Sequence, residues 1–165
     1  MEIRILGSKD AVAFKEVRLE ALKAHPEAFS SSFEEEKDGS IEKFADKLNS
    51  ENAFTFGAFI EGRLVGVVAL LLEKKNKIKH RANIGAMYVN PEVRESGVGK
   101  ALMLAAIDQA NEIEGIEQLA LHVTSNNTPA KKLYKSLGFK TYGVEHSALK
   151  VEETYFDVEM MELFL

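Results

Sequence analysis

The stretch from Ile84 to Lys100 constrains this chain more than any other. Ile84 to Val89 is an apolar run of strand length. Asn90-Pro91 ends it, because a proline biases the residue before it toward extended or turn backbone. Arg94-Glu95-Ser96-Gly97-Val98-Gly99 is then a tight turn with two glycines, and an apolar-rich helical pattern runs from Val98 to Glu114. Strand, glycine turn and helix put free backbone N–H groups and the positive end of a helix dipole at one point. Such a point binds phosphate, and glycines let the backbone approach the anion.

Two common phosphate motifs fail here. A Walker loop needs glycine where Arg94 stands and Ser or Thr where Ala101 stands. A dinucleotide fingerprint needs a third glycine where Leu102 stands. A nucleotide-binding protein is therefore disfavoured. What is left is Arg-x-x-Gly-x-Gly after a strand. A second stretch, Asn127 to Phe139, reads Asn-x-x-Ala-x-x-Leu-Tyr-x-x-x-Gly-Phe and follows the strand-like run Leu119 to Val123. In this order the two stretches resemble the coenzyme loop and the later signature of the GNAT superfamily of N-acetyltransferases. The order of elements along nearly the whole chain is similar too.

The 165 residues suit one domain, 1–165, large enough to bury a core. Hydrophobic residues make up 45% and charged residues 28%, a globular balance. A net charge of −5 argues against a nucleic-acid partner. With no cysteine, disulfides, thiolate metal sites and a cysteine acyl-enzyme are excluded. The four histidines are scattered, so no metal is expected. No signal-peptide pattern or membrane-length apolar run is seen, so a cytoplasmic protein without a membrane partner is expected. A homodimer is left open.

Glu2 to Leu6 reads as a strand. Ser8 or Asp10 is available to cap a helix over Ala11 to Ala24, with Val12, Val17, Leu19 and Leu22 as its apolar stripe. Phe29 to Ser40 has no clean period and reads as loop or partly helical. Ser40 opens another helix with Ile41, Phe44 and Leu48 inside. Ala53–Ile60 and Arg63–Leu72 are strands joined by a Glu61-Gly62 hairpin turn. Glu73 to His80 is a charged connection. After the helix from Val98, Gly115 suits its C-terminus. Asn127 to Leu137 is helical, and Phe139–Val144 and Thr154–Phe164 are strands separated by a polar loop. Strand–helix–strand predicts a parallel pair, and the hairpins predict antiparallel pairing elsewhere. The resemblance implies a mixed, mostly antiparallel α/β sheet of GNAT type, with helices on both faces. It also implies that the parallel strands splay apart, and that pantetheine bonds to the first strand's backbone at Met87, Tyr88 and Val89.

The same resemblance implies an acetyl-CoA-dependent N-acetyltransferase acting on a primary amine, expected to be a small molecule, by direct attack in a ternary complex. The loop Arg94, Glu95, Ser96, Gly97, Val98, Gly99 and Lys100 would hold the coenzyme, with Asn127, Ala130 and Tyr134. Asn127 is also a good helix cap by its own chemistry. Tyr134 falls on the family's tyrosine, the acid for the leaving thiolate; by helical spacing alone it packs with Leu133 and Leu137. An oxyanion donor is expected from backbone N–H near Val89. Where many relatives carry a glutamate base, this chain has Asn83, which cannot act as one; His80, Glu34, Glu92 or a water chain are the replacements. The acceptor is expected beside Phe29, Phe33, Glu34 and Asn83, where Glu34, Glu35 and Glu36 would attract a cation. A non-catalytic acyl-CoA sensor on the same fold is the alternative.

Overall fold

The computed structural model describes residues 1–165. Its strands are β1 (Glu2–Ile5), β2 (Ala53–Ile60), β3 (Arg63–Leu72), β4 (Arg81–Val89), β5 (Gln118–Thr124), β6 (Lys140–Val151) and β7 (Thr154–Phe164). Its helices are α1 (Ala11–Ala24), α2 (Phe33–Glu36), α3 (Ile41–Leu48), α4 (Val98–Glu112) and α5 (Thr128–Ser136). The seven strands form one sheet in the order β1-β2-β3-β4-β5-β7-β6. Only β4 and β5 are parallel; every other neighbouring pair is antiparallel.

Both faces are covered. Leu102, Met103, Ala106 and Ala110 of α4 bury with Val68, Leu70, Ile84, Leu119 and Leu121 on one face. Phe14, Val17 and Ala21 of α1 and Phe44 and Leu48 of α3 bury with Leu64 and Val67 on the other. This is why β3 is buried without a break from Leu64 to Leu70. No helix is long and apolar enough to cross a membrane.

The expected strand and helix order is present, with local differences. Asp10 does not cap α1; its carboxylate accepts from the Arg4 guanidinium at 2.8 and 2.9 Å and from the Gly7 N–H at 2.9 Å. Val12 and Ile41 face solvent, while Phe14 takes the core position on α1. Gly115, with φ of 90°, lies in a turn beyond α4, closed by Ile116 N–H to Ile113 O at 3.3 Å. The polar run Glu145 to Lys150, expected as a loop, continues β6 across a register shift. There Asp157 accepts the Ser147 N–H at 2.8 Å, and Ser147 has φ of 51°.

Candidate active site

The parallel pair holds register only from Arg81↔Gln118 to Ile84↔Leu121. Beyond that, β5 keeps pairing with β7 as far as Thr124, so one edge of β4 from Gly85 to Val89 faces an open gap. The cause is a bulge. Between the pairs Val67↔Tyr88 and Ala69↔Gly85, β4 carries one residue more than β3, and Ala86 has φ of 52°. The extra residue also switches the strand's faces. Ala82 and Ile84 point into the α4 core; after the bulge Met87 and Val89 pack on that side and Tyr88 turns to the α1 side.

At the end of β4 a 3-10 turn, Pro91–Val93, leads into the glycine loop. Gly97 takes φ of 86° and starts α4. The N–H groups from Ser96 to Lys100 donate to no acceptor within the protein, and the first helical bond runs from Ala101 N–H to Gly97 O at 3.0 Å. A row of orphan donors beside the open edge of β4 fits an anionic ligand with an extended amide arm. A Cβ on Gly99 would sit 3.3 Å from the side-chain ends of Leu133 and Met87. Gly99 therefore lets α4 pack close to the gap, and Gly97 makes the turn. Arg94 does not reach over the loop here. Its Nε donates to Val89 O at 3.1 Å and its Nη2 to His25 Nε2 at 2.7 Å.

The gap opens on a cavity of about 1140 Å³ on the α1 and α3 face. Tyr134 lines it from α5, with Asn127, whose side chain caps that helix by accepting Ala130 N–H at 3.3 Å. Tyr134 is 6% exposed and stacks edge-on with Phe139 at 6.2 Å. Burial alone pushes its phenol up to about 12. Asn83, Gly85 and Met87 line the cavity from β4 and His122 from β5. Asn83 donates to Glu73 at 2.9 Å. A short strap closes one side: the Thr124 hydroxyl donates to Glu27 O at 2.6 Å, and Ala28, Phe29 and Ser30 follow it along the wall.

The predicted acceptor residues separate. Phe29 and Asn83 line the cavity, but Phe33 and Glu34 do not. Lys23 lies 5.7 Å over the Phe33 ring. Glu34 faces solvent and pairs with Lys37 at 2.6 Å. Glu35 accepts the Ser32 N–H at 2.7 Å, closing the first turn of α2. Glu36 is buried between Arg18 at 2.9 Å and Lys47 at 3.2 Å. The three glutamates are thus spent on the local structure of α2 and its anchoring, and none is presented to a ligand.

None of the expected replacement bases, His80, Glu34 or Glu92, lines the cavity, and Glu92 pairs with Arg63 at 3.3 Å on the surface. His122, passed over in the sequence because nothing marks one strand histidine, is the imidazole that does. The register places it. Asn83 is opposite Ala120, so two residues further His122 faces Gly85 across the opening gap. Tyr88 is held elsewhere: its hydroxyl donates to Glu20 at 2.7 Å, and burial, then that bond, push its phenol up. No group of three potential metal ligands is present.

A model of the Acetyltransferase (GNAT) family matches residues 16–139. The N-alpha-acetyltransferase of Sulfurisphaera tokodaii is 28% identical over 120 residues, which cover 68% of this chain and 72% of that one. The spermidine N(1)-acetyltransferase of Thermoplasma acidophilum is 27% identical over 164 residues, covering 94% and 98%. The chain spans less than half the length of several mycothiol acetyltransferases that it also matches. A crystal structure of a GNAT-family acetyltransferase from Streptococcus pneumoniae shares the fold with a TM-score of 0.89, at 23% identity over 99% of both chains.

Proposed function

The chain belongs to the GNAT family of acetyltransferases, whose acetyl donor is acetyl-CoA, and we propose that it acetylates a primary amine held in the cavity beside the β4–β5 gap. The observation that carries this reading is that the gap exposes an unpaired strand edge, a buried phenol and an imidazole to one space.

Acetyl-CoA, when bound, supplies the thioester that the amine attacks. The orphan N–H groups of Ser96 to Lys100 hold the pyrophosphate, and the free edge of β4 from Met87 to Val89 holds the pantetheine amides. His122 takes the proton from the attacking amine, the task for which Asn83 is unfit. Backbone N–H on the same edge of β4 stabilises the charge that develops on the carbonyl oxygen. Tyr134 hydrogen-bonds the leaving sulfur. Direct attack is consistent with a chain that has no cysteine to carry the acetyl group.

Steady thiol release from acetyl-CoA across a panel of primary amines tests the reading. Saturable, amine-dependent release is expected. Coenzyme A binding with no release for any amine would reassign the chain to an acyl-CoA-binding module.

A further inference from the structure

The cavity has charge at both ends. Over β2 and β3, its wall carries Arg18 of α1 and Lys43 and Lys47 of α3. Asp46 of α3 lies there too, and Glu36 stands behind Arg18 and Lys47. Three cations against two carboxylates leave this end one positive charge in excess. Arg18 donates to Glu36 through Nε and Nη2 only, so Nη1 keeps its hydrogens free of protein partners, with the guanidinium 5.1 Å from the Phe29 ring. Lys43 is in no ion pair. At the opposite end, beyond His122, Glu145 of β6 is the cavity's remaining carboxylate.

The register gives this axis a length. Thr55, Ala69 and Gly85 are paired across β2, β3 and β4, and His122 continues the row past the gap. Strands lie roughly 4.8 Å apart, so the basic end is separated from the gap by about 10 Å. Resting on the acetyltransferase reading, we infer that the acceptor is a bipolar amine: a primary amine at one end and a single anionic group, a carboxylate or its like, about 10 Å away. Glu145 attracts the ammonium toward His122. Arg18 Nη1 and Lys43 hold the anion. A polyamine of the same length puts a second ammonium against the basic end and is disfavoured.

Three primary amines of one length test this: ω-aminooctanoate, diaminooctane and octylamine. Each is measured by thiol release and, separately, by calorimetric binding to the coenzyme A-loaded protein. A charge-assisted hydrogen bond corresponds to roughly 10- to 100-fold. The ω-amino acid should therefore exceed the diamine by at least about tenfold in kcat/KM and in affinity. Lys43→Glu should reduce that ratio. Arg18→Gln, which removes Nη1 and leaves Glu36 paired with Lys47 so that the two cations and two carboxylates of this end balance, should reduce it too. Equal or better use of the diamine overturns the inference, as does a preference that survives both variants. Binding preference without thiol release would keep the inference and overturn the acetyltransferase reading; release without preference does the reverse.

Discussion

Tyr134→Phe keeps the ring against Phe139 and deletes only the hydroxyl, so its effect reads the chemistry of one proton. Burial pushes this phenol up to about 12. A thiol ordinarily titrates near ~8.5. Complete transfer of the proton to a leaving thiolate would therefore run uphill by roughly 3.5 units, about 5 kcal/mol. It would leave a phenolate in a site that gives it no compensating partner. A thiolate alongside would raise the phenol further. In the proposed reading Tyr134 therefore serves as a hydrogen-bond donor to the sulfur, and the proton stays on oxygen. A hydrogen bond to a charged group contributes ~1.5–3 kcal/mol, which sets the loss in kcat at roughly 10- to 150-fold. The assay is thiol release at saturating acetyl-CoA and amine, in water and in heavy water, with coenzyme A affinity measured by calorimetry. Affinity should change little, and the solvent isotope effect of the parent attributable to Tyr134 should be near unity. Equal turnover would assign Tyr134 to packing. A loss beyond ~10³ together with a large isotope effect that vanishes in the variant would refute the argument, because it would show the proton in flight.

His122→Gln should lower kcat/KM at neutral pH by about 10²-fold; a loss under threefold places the base elsewhere. Gly97→Ala forces a Cβ onto φ of 86° in open space. It should destabilise by about 1–2 kcal/mol through backbone strain alone. Gly99→Ala meets only movable side-chain ends and should shift Tm less; the reverse order in a thermal melt would contradict this assignment of the two glycines. The Arg4 guanidinium, then the Gly7 N–H, hold Asp10 down to about 2 from 3.8. A carboxyl lowered on folding stabilises above its unfolded value and loses that contribution as pH falls, here between about 4 and 2. Urea unfolding should show about 2 kcal/mol lost over this window in the parent, and a flatter profile in Asp10→Asn.

The parts of the fold that depend on neighbours in sequence were legible. Ser40 caps α3 by accepting Lys43 N–H at 3.1 Å, Glu61-Gly62 makes the hairpin, and Asn127 starts α5. What failed depends on distant residues. Ile41 has the spacing of a core position, but α3 is only eight residues long and buries only Phe44 and Leu48. The polar run in β6 lacks an apolar face because β6 is an edge strand, paired with β7 alone. Asp10 looks like a cap until β1 brings Arg4 beside it.

The site divides along the same line. The proposed coenzyme loop is one continuous stretch whose orphan donors are backbone N–H groups, so turn chemistry marks it as an anion site and the Asn127–Phe139 stretch adds the coenzyme. The gap is less visible, because the bulge that opens it turns on Ala86, a residue with no preference for positive φ. The proposed acceptor end leaves no local signal at all. Arg18, Lys43, His122 and Glu145 come from four elements and meet only because the strand order sets β5, β7 and β6 on one side of the gap and β2 and β3 on the other. The run Glu34-Glu35-Glu36 is conspicuous in sequence for a different reason. One carboxylate closes the first turn of α2, one pairs with Lys37 on its surface, and one is neutralised by Arg18 and Lys47. Consecutive helical residues point about 100° apart, so three neighbours on a short helix cannot present three charges to one ligand. The sign of the cavity's basic end follows from what Glu36 leaves unpaired on Arg18 and from Lys43, and both lie outside the stretch that draws attention.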